Sequence, residues 1–97
     1  MRLLPWVERR LVRWPADAGA PIDLLPGFPR EWTGQSVAAY GLRRRSVELG
    51  FAVRWHGQRP AVLWELNKSS PLTCRRLDPT WSSVTSHGEA LLPPFLA

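Results

Sequence analysis

The sequence predicts a mainly β fold: a small antiparallel β-sandwich or half-sandwich, built as a meander, with one short N-terminal helix. Three observations predict it. Apolar residues recur at every second position through much of residues 36–97. Seven glycines and ten prolines divide the chain into short segments. Six tryptophans supply apolar volume, since one such side chain buries roughly 150–250 Å².

The chain has the length of a single domain of 97 residues. We divide it into a helix at residues 1–14, a covering loop rich in proline and glycine at residues 15–35, and a β-domain at residues 36–97. The boundaries follow the change from a helical to an alternating apolar pattern, because these two periods belong to different secondary structures.

The N-terminal segment carries one apolar stripe. Its members lie at steps of four, four and three residues, which is helical spacing: Leu3, Val7, Leu11 and Trp14. Pro15 ends the pattern because a proline disfavours a helical conformation in the residue before it. We interpret the segment as an amphipathic helix packed on the domain. A basic helix that binds a membrane surface or a partner is one alternative, and an extended segment is another.

The covering loop contains apolar residues that need a buried position: Ile22, Leu24, Leu25 and Phe28. We therefore expect residues 15–35 to lie over the edge of the core, with Trp32 as an anchor. In the β-domain, strands are predicted at residues 37–42, 46–55 and 61–66, with further strands at 71–75 and 82–85. Residues 91–96 form an apolar tail that closes the chain.

The register of the central hairpin can be predicted from its side-chain pattern. A four-residue connection at 57–60 places Trp55 opposite Val62, Val53 opposite Trp64, and Phe51 opposite Leu66, so that one face is entirely apolar. A shift by one residue would instead bring Glu65 to that face, and burial of an unpaired carboxylate is costly. Trp55 and Trp64 are therefore predicted to be interior packing groups.

The preceding turn supports the same arrangement. A connection at residues 43–46 pairs Leu42 with Val47 and Tyr40 with Leu49, and it places Ala38 opposite Phe51. One face is again apolar, so both turns agree on a three-stranded antiparallel meander. Tyr40 is predicted to lie on the buried face.

Catalytic patterns are lacking in the sequence. The only cysteine and histidines, Cys74, His56 and His87, do not have the spacing of a zinc site. No nucleophile-elbow pattern surrounds a serine, the carboxylates are dispersed, and neither a dinucleotide-binding motif nor a phosphate-binding loop occurs. We expect a non-enzyme without catalytic residues, cofactor or metal.

The net charge of +5 comes mainly from arginine. Arginines with neighbouring aromatic residues are typical of nucleic-acid-binding proteins. This makes a small basic nucleic-acid-binding protein our alternative hypothesis, with contacts from Arg43, Arg44, Arg45, Arg75 and Arg76. The charges are scattered along the chain, however, and a bias toward arginine, alanine and proline is also typical of GC-rich bacterial genomes.

One segment resembles a known family. The residues Leu24–Trp32, LLPGFPREW, are followed by Gly34 and Gln35, and the later segment Leu49–Trp55 reads LGFAVRW. Together they resemble the C-terminal region of glycoside hydrolases with an (α/α)-toroid catalytic domain, such as the alpha-L-fucosidase-like and glucoamylase-related enzymes. In those enzymes a similar segment leaves the helical domain and leads into a small antiparallel β-sandwich. The resemblance covers residues 24–66, and no residue here corresponds to a catalytic carboxylate.

The resemblance implies a non-catalytic accessory β-sandwich module that acts by packing on a protein or by weak carbohydrate contact. Its partner would be a glycosidase-type helical domain or a second copy of the chain. Trp6, Trp32 and Trp81 lie in less regular segments, so we predict them as contacts to carbohydrate or partner. A single cysteine, no signal peptide and no apolar run of the roughly 18–20 residues that span a membrane predict a cytoplasmic protein without a membrane partner.

Overall fold

The computed structural model describes residues 5–17 and 19–95, with the backbone alone at Pro5 and Trp6. The elements in chain order are helix α1 (Pro5–Leu11), strands β1 (Val12–Arg13) and β2 (Ile22–Leu24), a 3-10 helix (Arg30–Trp32), and strands β3 (Val37–Arg44), β4 (Val47–His56), β5 (Arg59–Leu66), β6 (Leu72–Cys74), β7 (Asp78–Ser83) and β8 (His87–Leu91). The prediction of a mainly β fold with one short helix is confirmed.

The strands form two sheets. Strands β3, β4, β5 and β8 pair antiparallel in that order, and we call them the long-strand sheet. Strands β1, β2, β6 and β7 form the short-strand sheet, in which β2 and β6 are parallel and the other pairs antiparallel. The described part of the chain has no helix of the length and apolar character that crossing a membrane requires.

One core lies between the sheets. The short-strand sheet contributes Leu24 and Leu72, which are fully buried, and the long-strand sheet contributes Phe51, Val53 and Val62. These side chains share one cluster because strand residues at every second position point to the same face. The molecule is therefore a β-sandwich, with both sheets turning their apolar faces inward.

Trp55 and Trp64 pack against this core, as predicted. Trp64 is buried and Trp55 is half-buried. The indole Nε1 of Trp55 donates a hydrogen bond to the carbonyl of Gln35 at 2.8 Å, and that of Trp64 donates to the carbonyl of Thr85 at 3.1 Å. Both indole N–H groups therefore have a backbone carbonyl as hydrogen-bond partner, as is usual for tryptophans that pack on a core.

The helix ends earlier than the apolar stripe predicts. It stops at Leu11, and Val12–Arg13 instead pair with β2, so the predicted end at Trp14 is wrong. The backbone N–H of Leu25 donates to the carbonyl of Leu11 at 2.8 Å, in place of a further helical turn. The competing strand pairing and Pro15 together end the helix. Leu3, the first member of the stripe, lies outside the described residues.

Part of the covering loop is a β-strand, whereas the prediction was a loop over the edge of the core. Ile22–Leu24 form strand β2 and pair with β6, whose partner residues begin at Leu72. Asp23 is buried at 8% exposure and accepts hydrogen bonds on Oδ1 from Thr73 Oγ1 at 2.9 Å and from the backbone N–H of Arg75 at 3.1 Å. Residues 15–35 therefore supply part of the second sheet and do not only cover its edge.

Both predicted hairpin registers are wrong, although the buried face of the central hairpin is right. His56 pairs with Arg59, so the turn has two residues rather than four, and Phe51 lies opposite Trp64. The shift of two residues leaves every side chain on its predicted face, because the side-chain period of a strand is also two. The other hairpin likewise has a two-residue turn, at Arg45–Ser46.

A β-bulge changes the face of Tyr40. Leu42 pairs with Leu49 but Ala39 pairs with Phe51, so β3 contains an extra residue between these positions. Gly41 has a φ of 72°, which is the left-handed conformation that glycine adopts in such bulges. The prediction that Tyr40 is buried opposite Leu49 is consequently wrong: its side chain is 58% exposed on the outer face of the sheet.

The chain end is partly strand. Strand β8 pairs with β5 at the edge of the long-strand sheet, which the sequence pattern did not predict. Beyond it, Leu92 and Phe95 are buried, and their backbone N–H groups donate to the carbonyls of Pro60 and Gln58 at 2.8 and 3.0 Å. Leu92 and Phe95, two residues of the predicted apolar tail, are therefore part of the core.

Candidate functional site

The outer face of the long-strand sheet carries an open groove of about 630 Å³. Strands β3, β4, β5 and β8 all contribute to it, each through outward-facing residues. Its floor is made of small or apolar groups, Gly50, Ala52 and Leu63, of which the first two are buried. Small floor residues leave room for a ligand to approach the sheet closely.

Tyr40 forms one wall of this groove. Its ring lies across Gly50: a Cβ atom at Gly50 would be only 2.6 Å from Cδ1 of the tyrosine and 3.4 Å from Cε1. An aromatic ring that covers a cross-strand glycine is a known device for stabilising sheets. Because Tyr40 remains 58% exposed, the ring also presents apolar surface to the groove.

Polar side chains line the other side of the groove. Glu65 pairs across the strands with His87, and Leu63 pairs with Glu89, so all four point outward along β5 and β8. Both glutamates and the histidine are exposed. Nδ1 of His87 lies 3.2 Å from the hydroxyl of Ser86. The groove thus combines one aromatic surface with several hydrogen-bonding groups, two of which are carboxylates.

The predicted tryptophan contacts do not form a shared surface. Trp32 is half-buried and packs edge-on against Phe28, with ring centroids 5.9 Å apart. Trp81 is half-buried and packs edge-on against Trp64 at 5.3 Å. Both belong to packing clusters around the core. The side chain of Trp6 lies outside the described residues.

The predicted arginine contacts are divided between the two ends of the sandwich. Arg43, Arg44 and Arg45 lie at the turn before β4. The guanidinium carbon of Arg76 lies 4.8 Å from the ring centroid of Phe95, and Phe95 packs against Trp55 near the far end of β4.

Strand β4 runs from the turn with Arg43–Arg45 to the end near Arg76 and has ten residues. At about 3.3 Å per residue, the two groups of arginines lie roughly 30 Å apart. Arg75, beside Arg76, is held through its backbone N–H by the Asp23 carboxylate. Arg43 forms an ion pair with Glu48. The five arginines therefore do not share one basic face.

Cys74 is fully buried in the core. Burial, and secondarily the nearby Asp23 carboxylate, raise the pKa of its thiol from 9.0 to about 12. A thiol in this environment stays protonated at neutral pH and serves as a packing group. Across residues 5–17 and 19–95, no group of three His, Cys, Asp or Glu side chains is placed to hold a metal ion.

Tyr40 is the site residue that the sequence pattern missed. The available signal was Gly41, because an isolated glycine within a strand pattern indicates a bulge that reverses the faces beyond it. The remaining groove residues are brought together by β8, whose pattern is too polar to predict a strand. Searches of protein-family models, curated proteins and solved structures found no match to this chain.

Proposed function

We propose that this chain is a non-catalytic carbohydrate-binding module, and that the groove beside Tyr40 holds a short neutral oligosaccharide. The observation that carries the proposal is the exposed tyrosine ring, which lies over Gly50 at the side of an open groove. The site differs from the tryptophans predicted from the sequence, but the kind of function is the one that we expected from the resemblance.

The tyrosine ring suits one face of a sugar. The axial C–H groups of a pyranose form a small apolar patch, which packs on an aromatic ring as apolar side chains do. Contact with Gly50 restricts the ring before the ligand arrives, so less conformational entropy is lost on binding. Ala52 and Leu63 continue the lining of the groove, and further sugar units of the ligand would lie over them.

The polar wall determines the charge of the ligand. Glu65 and Glu89 accept hydrogen bonds from sugar hydroxyls, and charge-assisted bonds of this kind are stronger than neutral ones. The same carboxylates repel an anionic ligand, since like charges at close range disfavour association. A neutral oligosaccharide therefore fits this groove better than a polyuronate or a nucleic acid.

The accessory role is supported by the resemblance of Leu24–Trp32 to a glycosidase segment. In this chain the segment is a packing element: Leu24 and Leu25 are fully buried, and Phe28 is 2% exposed. A glycosidase-type helical domain or a second copy of the chain remains our predicted partner.

Calorimetric titration with matched oligosaccharides tests the proposal. Wild-type protein is titrated with cellotetraose, xylotetraose, mannotetraose and maltotetraose, and with galactan and galacturonan fragments of equal length. We expect millimolar or tighter binding to at least one neutral sugar and none to the galacturonan. Tyr40→Ala should weaken the binding about tenfold, or ~1.4 kcal/mol, because the stacking surface is lost.

The control for this variant is Val84→Ala. Val84 is 70% exposed and lies outside the groove, so its removal deletes exposed apolar surface without changing the site. Its affinity should equal that of the wild type. Absence of binding across the whole panel, or equal affinity of the Tyr40→Ala and wild-type proteins, would overturn the proposal.

A further inference from the structure

A second cavity, of about 290 Å³, is lined by residues other than those of the sugar groove. It opens between the two sheets next to the β3–β4 turn. The region around the short-strand sheet contributes Trp14 and Ile22, and the turn contributes Arg44, Arg45 and Val47. The connection between β5 and β6 completes it with Lys68 and the residues that follow. The cavity is distinct from the groove, because the two share no lining residue.

The inner part of this cavity is apolar. Ile22 is buried, and Trp14 and Val47 are half-buried and pack against the core. Pro15 and Pro71 add rigid apolar surface. Ligand pockets commonly combine such walls with a few polar groups that orient the ligand. Trp14 provides the aromatic surface of this wall.

The rim of the cavity is basic. Arg44, Arg45 and Lys68 line it, and Asp17 is the only carboxylate among its lining residues. The guanidinium groups of Arg44 and Arg45 form no hydrogen bond or ion pair with the described residues, whereas that of their neighbour Arg43 is paired with Glu48 on the outer face. The fold therefore neutralises one arginine of the run and leaves the next two facing this opening with spare donors.

Hydroxyl groups lie beside these cations. The ammonium of Lys68 donates a hydrogen bond to Oγ of Ser46 at 2.6 Å, which holds the lysine at the rim. Ser69 and Ser70 also line the cavity. Guanidinium, ammonium and hydroxyl donors that converge are the groups that bind carboxylate and phosphate oxygens.

We propose that this cavity binds a small organic anion whose ring or apolar body contacts Trp14 and whose carboxylate or phosphate is held by Arg44, Arg45 and Lys68. The volume sets the size, because about 290 Å³ is near the lower end of the range for small-molecule pockets. One or two fused rings with a single anionic group fill it. This site is independent of the sugar groove and of the function proposed for that groove.

The test uses 2-naphthyl phosphate and 2-naphthoate as probes. Inorganic phosphate and 2-naphthol, the two parts of 2-naphthyl phosphate, serve as controls. Binding is followed in ¹H–¹⁵N spectra through the indole N–H of Trp14, which is assigned by its loss in Trp14→Phe. We expect both whole anions to shift this resonance and to bind at least tenfold more tightly than either control. The anion that binds more tightly shows whether the site prefers a phosphate or a carboxylate.

The charge requirement is tested with Arg44→Gln/Arg45→Gln. The matched control is Arg30→Gln/Arg54→Gln, which removes the same charge from exposed positions outside the cavity. The first variant should bind the anions at least tenfold more weakly, and the control should bind within twofold of wild type. Equal loss in both variants, or binding of 2-naphthol as tight as that of its phosphate, would overturn the proposal. An oligonucleotide that binds through Arg44 and Arg45 without shifting Trp14, when the naphthyl anions do not bind, would also overturn it.

Discussion

The two faces of the long-strand sheet are built from different kinds of side chain. The inner face carries large apolar groups such as Phe51, Val62 and Trp64, which fill the space between the sheets. The outer face carries glycine and alanine with one exposed aromatic ring, that of Tyr40. The same strands supply both faces, since neighbouring residues in a strand point in opposite directions.

This difference shows that core-packing side chains and outward-facing side chains alternate along one strand. A substitution on the inner face should change the free energy of unfolding. A substitution on the outer face should reduce stability less, and a substitution in the proposed groove should weaken sugar binding. The sequence contains six tryptophans, and the side chains of five of them are described. Each of these five is buried or half-buried and packs in or against the core.

Phe51→Ala should have the largest effect on stability. Phe51 is 1% exposed and pairs with Trp64 across β4 and β5, so its truncation leaves a cavity between the sheets. We expect a loss of about 3–5 kcal/mol in the free energy of unfolding, measured by urea denaturation. Leu63→Ala on the outer face is the control and should lose less than half as much. Similar losses of unfolding free energy in the two variants would show that the inner face does not contribute more to stability than the outer face.

Gly88→Ala should have the second-largest effect on stability. A Cβ atom at residue 88 would lie 2.7 Å from Cζ2 and 2.9 Å from Cη2 of Trp64, so the indole has to move. That movement weakens its hydrogen bond to Thr85 and its edge-on contact with Trp81. We expect a loss of about 1–3 kcal/mol and a changed near-ultraviolet circular dichroism spectrum. The control is Glu89→Ala at the exposed neighbouring position, which should change neither the free energy of unfolding nor the near-ultraviolet spectrum.

The buried thiol predicts a dependence of stability on alkaline pH. The pKa of Cys74 is raised by burial from 9.0 to about 12, so the folded state holds the proton more tightly than the unfolded state. Its contribution to stability is therefore complete below pH 9 and decreases as the pH rises toward 12. At pH 10 the loss should be about 1 kcal/mol.

Comparison with Cys74→Ala isolates this effect from other groups that titrate in the same range. The difference in unfolding free energy between wild type and variant should shrink as the pH rises above 9. A difference that stays constant between pH 7 and 11 would show that the thiol is not buried as the structure has it.

Gly50→Ala should have the smallest effect on stability and a clear effect on binding. The new methyl group would displace the ring of Tyr40, whose Cδ1 lies 2.6 Å from the position of that Cβ atom. Because the ring is largely exposed, it can swing away at a cost of less than about 1 kcal/mol. Calorimetry should show weaker sugar binding than in the wild type, by a factor similar to that of Tyr40→Ala. Unchanged binding would show that the ring position is not part of the site.

Much of the long-strand sheet could be predicted from the sequence, because alternation is a local signal. Strands β4 and β5, and the inward position of Trp55 and Trp64, follow from it directly. The register of the central hairpin could not be predicted in this way, because turns of two and of four residues leave the same side chains inside. Tyr40 was placed on the wrong face because one bulge at Gly41 reverses the alternation.

The short-strand sheet was largely beyond prediction. Strands β1 and β2 have two and three residues, which is too short for a periodic pattern. Their pairing depends on residues far along the chain: Asp23 and Thr73, which are paired and hydrogen-bonded, are separated by 50 positions. Contacts of this kind are decided by the packing of the whole domain.

A nuclear Overhauser experiment on the single tyrosine of the chain tests whether the ring of Tyr40 contacts the sugar. Protein with protonated tyrosine and tryptophan rings in a deuterated background is mixed with the tightest-binding neutral oligosaccharide. We expect magnetisation transfer between the ring protons of Tyr40 and the C–H groups of one sugar face. Transfer to the indoles of Trp32 or Trp81, with none to Tyr40, would contradict it and return the site to the residues that the sequence predicted.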